Sequence, residues 1–263
     1  MNKISYASLR PVLESMADEK YRAFHARLVP GIHDFLGIRI PRLRKLGRDL
    51  SKAFSGEADW RAFLDQVPVL YEEVILRGIV IGLMPVRMIR ESAEAAQEAA
   101  ETVYFQIIAS HVKYIDNWAL CDYFCSGLKQ KALLDDVFFD TLRRQFLCSS
   151  AAGCWTIRVG LVLLLSHFTD SAHITPILDA CRTVAGRIPE FRYEDTFYIR
   201  MGMAWLLAEC YIKCRPETRD FLFGGASLEN MPEDWTFHKT IRKIIESDRI
   251  GSDEKALLRT YVR

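Results

Sequence analysis

A tryptophan and an aspartate stand four positions apart in DNWALCDYF, residues 116–124. Positions i and i+4 share one face of a helix, so Trp118 and Asp122 would project together. An aromatic wall beside a carboxylate suits a substrate with cationic character. Leu120, Phe124 and Leu128 recur every four residues and form the stripe expected to pack. Trp118 lies two residues from Leu120 and Asp122 two from Phe124, roughly 200° around the helix at about 100° per residue, so the pair faces away from that stripe. On these residues alone a second reading stands beside the first: Trp118 fills another helix interface and Asp122 caps or pairs nearby.

Arg158 raises a related question inside GCWTIRVGLVLLLSHF, a run that is apolar on almost every side. A guanidinium is rarely buried without a partner. Either Arg158 makes a structural ion pair with Asp122 or another carboxylate, or it points outward and takes an anion such as phosphate. Trp155, at i−3, projects from the same side. Trp205 lies in FYIRMGMAWLLAECYIK, where apolar side chains surround the helix, and taken alone it reads as core. Basic residues cluster in GIRIPRLRKLGRDLSK, where Arg39, Arg42, Arg44, Lys45, Arg48 and Lys52 face only Asp49; Lys239, Arg242 and Lys243 form a second group. Each group is a solvated face or a phosphate-tracking surface.

Cys121 with Cys125 and Cys210 with Cys214 have i, i+4 spacing, but no His or further Cys falls at structural zinc spacing, so they read as packed thiols. No HExxH, glycine-rich phosphate loop or GxSxG elbow occurs, and His167 and His173 are separated by a helix break. Neither a metal nor a nucleotide cofactor is expected.

The elements that must position these residues all read as helices. Apolar residues recur at three-to-four spacing in nearly every segment, as Val74, Ile75, Gly78, Ile79 and Gly82 do in YEEVILRGIVIGLM, and no stretch alternates strictly as a strand would. Pro41, Pro85, Pro176 and Pro216 sit at segment borders. Helices are predicted near 5–17, 19–28, 41–54, 58–66, 71–84, 91–112, 115–128, 131–148, 153–168, 173–187, 195–213, 216–223, 235–247 and 252–261. Short polar turns between them fit an α-solenoid of stacked antiparallel helix pairs, one domain over residues 1–263, curved and with a concave binding side. At 50% hydrophobic and 26% charged, the 263 residues can bury a substantial core; the net charge of +1 makes any polyanion affinity a matter of local clustering. Seven cysteines, an odd number lying mostly in apolar runs, fit a reduced cytoplasmic protein. The opening MNKISYASLRPVLESMA shows no signal peptide, and the longest apolar run, Val159 to Leu165, is too short to span a bilayer.

Four segments together, FLGIRIPRLRKL at 35–46, WALCD at 118–122, WTIRVGLVL at 155–163 and FYIRMGMAWLLAE at 197–209, resemble the AlkD-like DNA alkylation repair family in the family's order. The resemblance implies a curved stack of HEAT-like helix pairs and hydrolysis of the N-glycosidic bond of purines alkylated at N3 or N7 in duplex DNA. It implies that Trp118 and Trp205 line the damaged nucleotide, that Asp122 is the catalytic carboxylate, and that Arg158 holds the DNA backbone near the lesion. Arg39, Arg42, Arg44, Lys45 and Arg48 become DNA-binding candidates, and the protein is expected to act as a monomer, with duplex DNA as partner and no cofactor, metal or membrane. It also implies that no deep base pocket need be encoded, unlike the general flipping scheme. The chain departs from the family pattern in carrying Asn117 and Ala119 around Trp118, and Ala208 after Trp205; an aromatic and two charges are expected to be missing from the lining. Two other functions remain compatible with the fold: a catalytically silent protein that binds bent or branched DNA, and a scaffold for protein partners.

Overall fold

The computed structural model describes residues 4–29, 31–32, 34–224 and 234–262. They form helices and connections, with no strand among the described residues, so the all-α helical-repeat reading holds. The chain divides into two compact units, Met1–Phe138 and Phe139–Arg263.

The first unit contains α1 (Tyr6–Ser15), α2 (Glu19–Leu28), α3 (Ile40–Ala53), α4 (Glu57–Leu64), α5 (Tyr71–Leu83), α6 (Val86–Ala96), α7 (Ala100–Val112) and α8 (Trp118–Gly127). Local chemistry fixes the starts: Ser5 and Ser8 form a capping box on α1, the Asp18 side chain accepts from the Tyr21 amide at 2.9 Å, and Pro41 lies in the first turn of α3. Helix α5 packs against α3 on one side and α8 on the other, and it is buried almost all round. That burial explains why apolar residues lie all round its second half, while Glu72, Glu73 and Arg77 are buried with hydrogen-bond partners.

Within α5, Glu72 is 1% exposed and holds the connection into α3: its Oε1 accepts from the amides of Leu36, Gly37 and Ile38 at 3.0, 2.9 and 3.2 Å. A buried carboxylate is stable there because backbone donors replace its water. Gly37 has φ +77°, and a Cβ on it would stand 2.5 Å from the Cβ of Arg22, so the turn needs glycine for both conformation and clearance. This clamp delivers the basic run of α3 to its place.

The second unit contains α10 (Cys154–His167), α11 (Ile174–Arg187), α12 (Tyr193–Lys213), α13 (Arg215–Phe223), α14 (Asp234–Glu246) and α15 (Ser252–Arg259), preceded by α9 (Asp136–Leu142), which runs into a π-helical turn, Arg143–Leu147. Helix α12 packs between α10 and α14, while α11 and α13 pack on each other. The strongest packing joins a helix to the next but one, α3 with α5, α10 with α12 and α12 with α14, while α6 with α7, α12 with α13 and α14 with α15 pack as adjacent hairpins, as stacked helical hairpins require.

Two predicted helices are divided. The segment 91–112 holds the end of α6 and all of α7, because Gln97 adopts the left-handed conformation, φ 56°, as the C-cap of α6. The segment 131–148 is a 3-10 turn at Lys131–Leu133, then α9, then the π-helical turn. Among the described residues no helix is long and apolar enough to cross a membrane, and no group of three His, Cys, Asp or Glu side chains is placed to hold a metal ion.

Candidate DNA-facing site

Helix α8 opens on Asn117, whose Oδ1 accepts from the Leu120 amide at 3.0 Å. That cap places Trp118 at the first helical position and Asp122 one turn later. Leu120, Phe124 and Leu128 are each under 5% exposed, while Trp118 and Asp122 are half-buried on the other side. The indole is held, not loose: Trp118 Nε1 donates to the Leu28 carbonyl at 3.3 Å, at the end of α2. Beside Asp122, burial raises the pKa of the Tyr123 phenol; the Asp122 carboxylate pushes the same way and Arg44 pulls against it. Arg44 of α3 and Asp122 of α8 therefore act on one phenol with opposite sign, each from a helix that packs on α5.

The basic run of α3 does not form one face. Arg39 Nε bonds Asp18 at 3.2 Å and its guanidinium lies 4.9 Å over the Tyr21 ring; backbone donation from Tyr21, and then Arg39, hold the Asp18 carboxyl below its usual range. Arg42 Nη1 donates to the Met16 carbonyl at 3.0 Å, and Lys45 pairs with Asp49 at 3.3 Å. Arg44 and Arg48, one turn apart, are the two that turn towards α8, across a cleft floored by α5. A helical spacing of four separates them from the rest.

In the second unit Arg158 is 5% exposed within α10, and its Nη1 donates to the Tyr198 carbonyl at 2.9 Å. Gly202 of α12 packs beside it, where a Cβ would stand 3.6 Å from Arg158 Nη1, an ordinary contact distance. Trp155 packs on Tyr198 with ring centroids 4.8 Å apart. Trp205 is 37% exposed, so the core reading of this residue fails. Along the same face of α12, at intervals of four, come Tyr193, Phe197 and Met201. Phe197 meets the exposed Trp235 of α14 at 5.8 Å, edge to face. The 193, 197, 201, 205 spacing is present in the sequence, but apolar residues on the other sides of α12 obscure Tyr193 and Phe197, and nothing in the sequence marks Trp235 as their neighbour.

The three departures from the family pattern lie at buried positions. Asn117 is the α8 cap, and Ala119 and Ala208 are 0% and 3% exposed. In this fold all three positions are packed.

The cysteines form no disulfide, and Cys121, Cys125 and Cys210 are fully buried. Burial raises the Cys210 thiol well above its ordinary value, as for a packed, unreactive thiol.

Helices that present aromatic, acidic and basic side chains along single faces place the chain in the class of all-α helical-repeat proteins. The model of the family described as DNA alkylation repair enzyme matches residues 9–233, from within α1 to the segment before α14, and the chain belongs to that family. Its role lies in the repair of alkylated DNA. No curated protein and no solved structure matches the chain.

Proposed function

We propose that the protein is a monomeric DNA glycosylase that hydrolyses the N-glycosidic bond of cationic N3- or N7-alkylated purines in duplex DNA. The pairing of Trp118 with Asp122 on the exposed side of α8 supports this most. Alkylation leaves the base positively charged and a good leaving group. As the bond between C1′ and the base nitrogen breaks, its electron pair goes to the base, which departs neutral, and positive character moves to the sugar. The Asp122 carboxylate stabilises that charge, orients the water whose oxygen bonds to C1′, and takes the proton the water loses. The indole face of Trp118 favours both the cationic base and the sugar cation, and the resemblance gives Trp205 the same role. The resemblance gives Arg158 a backbone phosphate beside the lesion; at 5% exposure and donating to the Tyr198 carbonyl, its guanidinium has to turn outward from that bond to reach one. Arg44 and Arg48 add backbone contacts that carry no sequence information.

The test is base release from duplexes carrying N7-methylguanine or 3-methyladenine at high enzyme excess. Wild-type protein should release the base, and Asp122→Asn should slow release by about a hundredfold or more, the scale of losing one electrostatic transition-state contact. Salt-sensitive DNA binding with no release would leave a DNA-binding protein without glycosylase activity; no binding at moderate salt would favour a protein scaffold.

A further inference from the structure

The cleft between α3, α5 and α8 has a volume of about 240 Å³. Its floor is apolar, formed by Val74, Ile75 and Ile79 of α5 with Leu120 and Phe124 of α8. Its rim carries three exposed cations, Arg44, Arg48 and Lys129, and no Asp or Glu lines it among the described residues. Lys129 Nζ lies 3.4 Å from the Ser126 carbonyl and offsets the negative end of α8, which leaves the two arginines as net positive charge. Tyr123, its phenol pKa raised by burial, stays protonated and offers an O–H donor at the rim. At the inner wall stands His111, 1% exposed, with no hydrogen-bond partner at Nδ1 and held neutral by burial and by the charge of Arg77.

An apolar slot with a cationic mouth selects a ligand that is flat and apolar at one end and anionic at the other. The volume, below the ~300 Å³ at which pockets for drug-sized molecules begin, admits one ring system and not a base pair. Arginines one helical turn apart favour phosphate, whose oxygens accept from both. We propose that this cleft binds one nucleoside monophosphate unit, with its base against the α5 floor and its phosphate on Arg44, Arg48 and Lys129. The same chemistry is offered by a free mononucleotide and by an unpaired nucleotide at a DNA strand end. The site shares Arg44 and Arg48 with the proposed backbone contacts but does not depend on base release.

Calorimetric titration of the full chain tests this with AMP, adenosine, inorganic phosphate, a blunt DNA hairpin, and the same hairpin with one unpaired 5′-phosphorylated nucleotide. AMP should bind one per chain, at least tenfold tighter than adenosine or phosphate, and Arg44→Gln/Arg48→Gln should weaken it at least tenfold with Tm unchanged. If only the overhang hairpin binds better than the blunt one, and the same variant removes that advantage, the cleft stands and its ligand is a strand end. Inorganic phosphate binding as tightly as AMP, or neither AMP nor the overhang showing an advantage, overturns the proposal. Asp122→Asn should leave AMP binding in place, so failure of base release and failure of the cleft are read separately.

Discussion

Asp122 and Trp118 owe their placement to a neighbour that does no chemistry. The Asn117 side chain bonds the Leu120 amide and so starts α8 at the tryptophan, and the helix then carries the carboxylate to the same side. Trp118→Phe keeps a ring face but loses the bond to the Leu28 carbonyl; it should lower base release less than Trp118→Ala, which removes the ring. Equal losses in the two would assign the residue to packing. The burial of Ala119 supplies a sharper test. Placing the acid of the family pattern there as Ala119→Glu puts a carboxylate at a position with 0% exposure, and it should destabilise the fold by roughly 3–5 kcal/mol, as an unpaired buried charge does. A variant with unchanged urea midpoint would show that α8 can turn this position outward.

Helix ends and helix faces differed in how legible they were. The spans of α2, α3, α5, α10 and α11 follow from apolar spacing and border prolines, and the observed ends fall within a residue of the expected ones. The break at Gln97 was invisible, because ESAEAAQEAAETVY has neither Gly nor Pro and glutamine gives no warning of a left-handed cap. Trp118, Asp122 and Arg158 stood out because each is set against an apolar stripe, but the spacing left open whether Arg158 is buried, as it is, or turned outward. The division of the α3 basic run was not, since it depends on Asp18, Met16 and Tyr21 arriving from distant segments. The motif FLGIRIP gains a physical meaning from Glu72, whose carboxylate takes three of its backbone amides. Glu72→Ala leaves those donors unpaired in a buried loop and should lower stability by about 2–4 kcal/mol, while Glu72→Gln, which keeps an acceptor, should lose less. Urea denaturation of the two variants measures the difference, and Gly37→Ala should resemble the former because its turn needs φ +77°.

For the chain taken whole, charge and protonation are the properties that respond to solution conditions. Burial lowers the pKa of His25 and, much further, of His111 below the ordinary 6.5. The unfolded chain therefore binds more protons than the folded one below that value, and stability should fall as pH drops from 7.5 towards 5.5. Glu209, held down by Arg249 first and by Lys213, adds stability above its ordinary 4.5 that is lost only in more acidic solution, so it does not mask the histidine effect. A urea midpoint that is flat over that interval would mean the two imidazoles are not buried in solution. Net charge is +1, so binding to DNA has to come from a few local cations. For B-DNA the slope of log K against log salt is about −0.9 per neutralised phosphate. Arg44 and Arg48 sit on the cleft rim with no acidic side chain lining it, whereas Arg39 and Lys45 already face Asp18 and Asp49. Arg44→Gln and Arg48→Gln should each flatten the slope by about one, uniformly across sequences, and Arg39→Gln and Lys45→Gln by less. Fluorescence anisotropy with a labelled duplex over a series of salt concentrations measures this. Equal slopes for all four variants would return the whole basic run of α3 to a single undifferentiated surface.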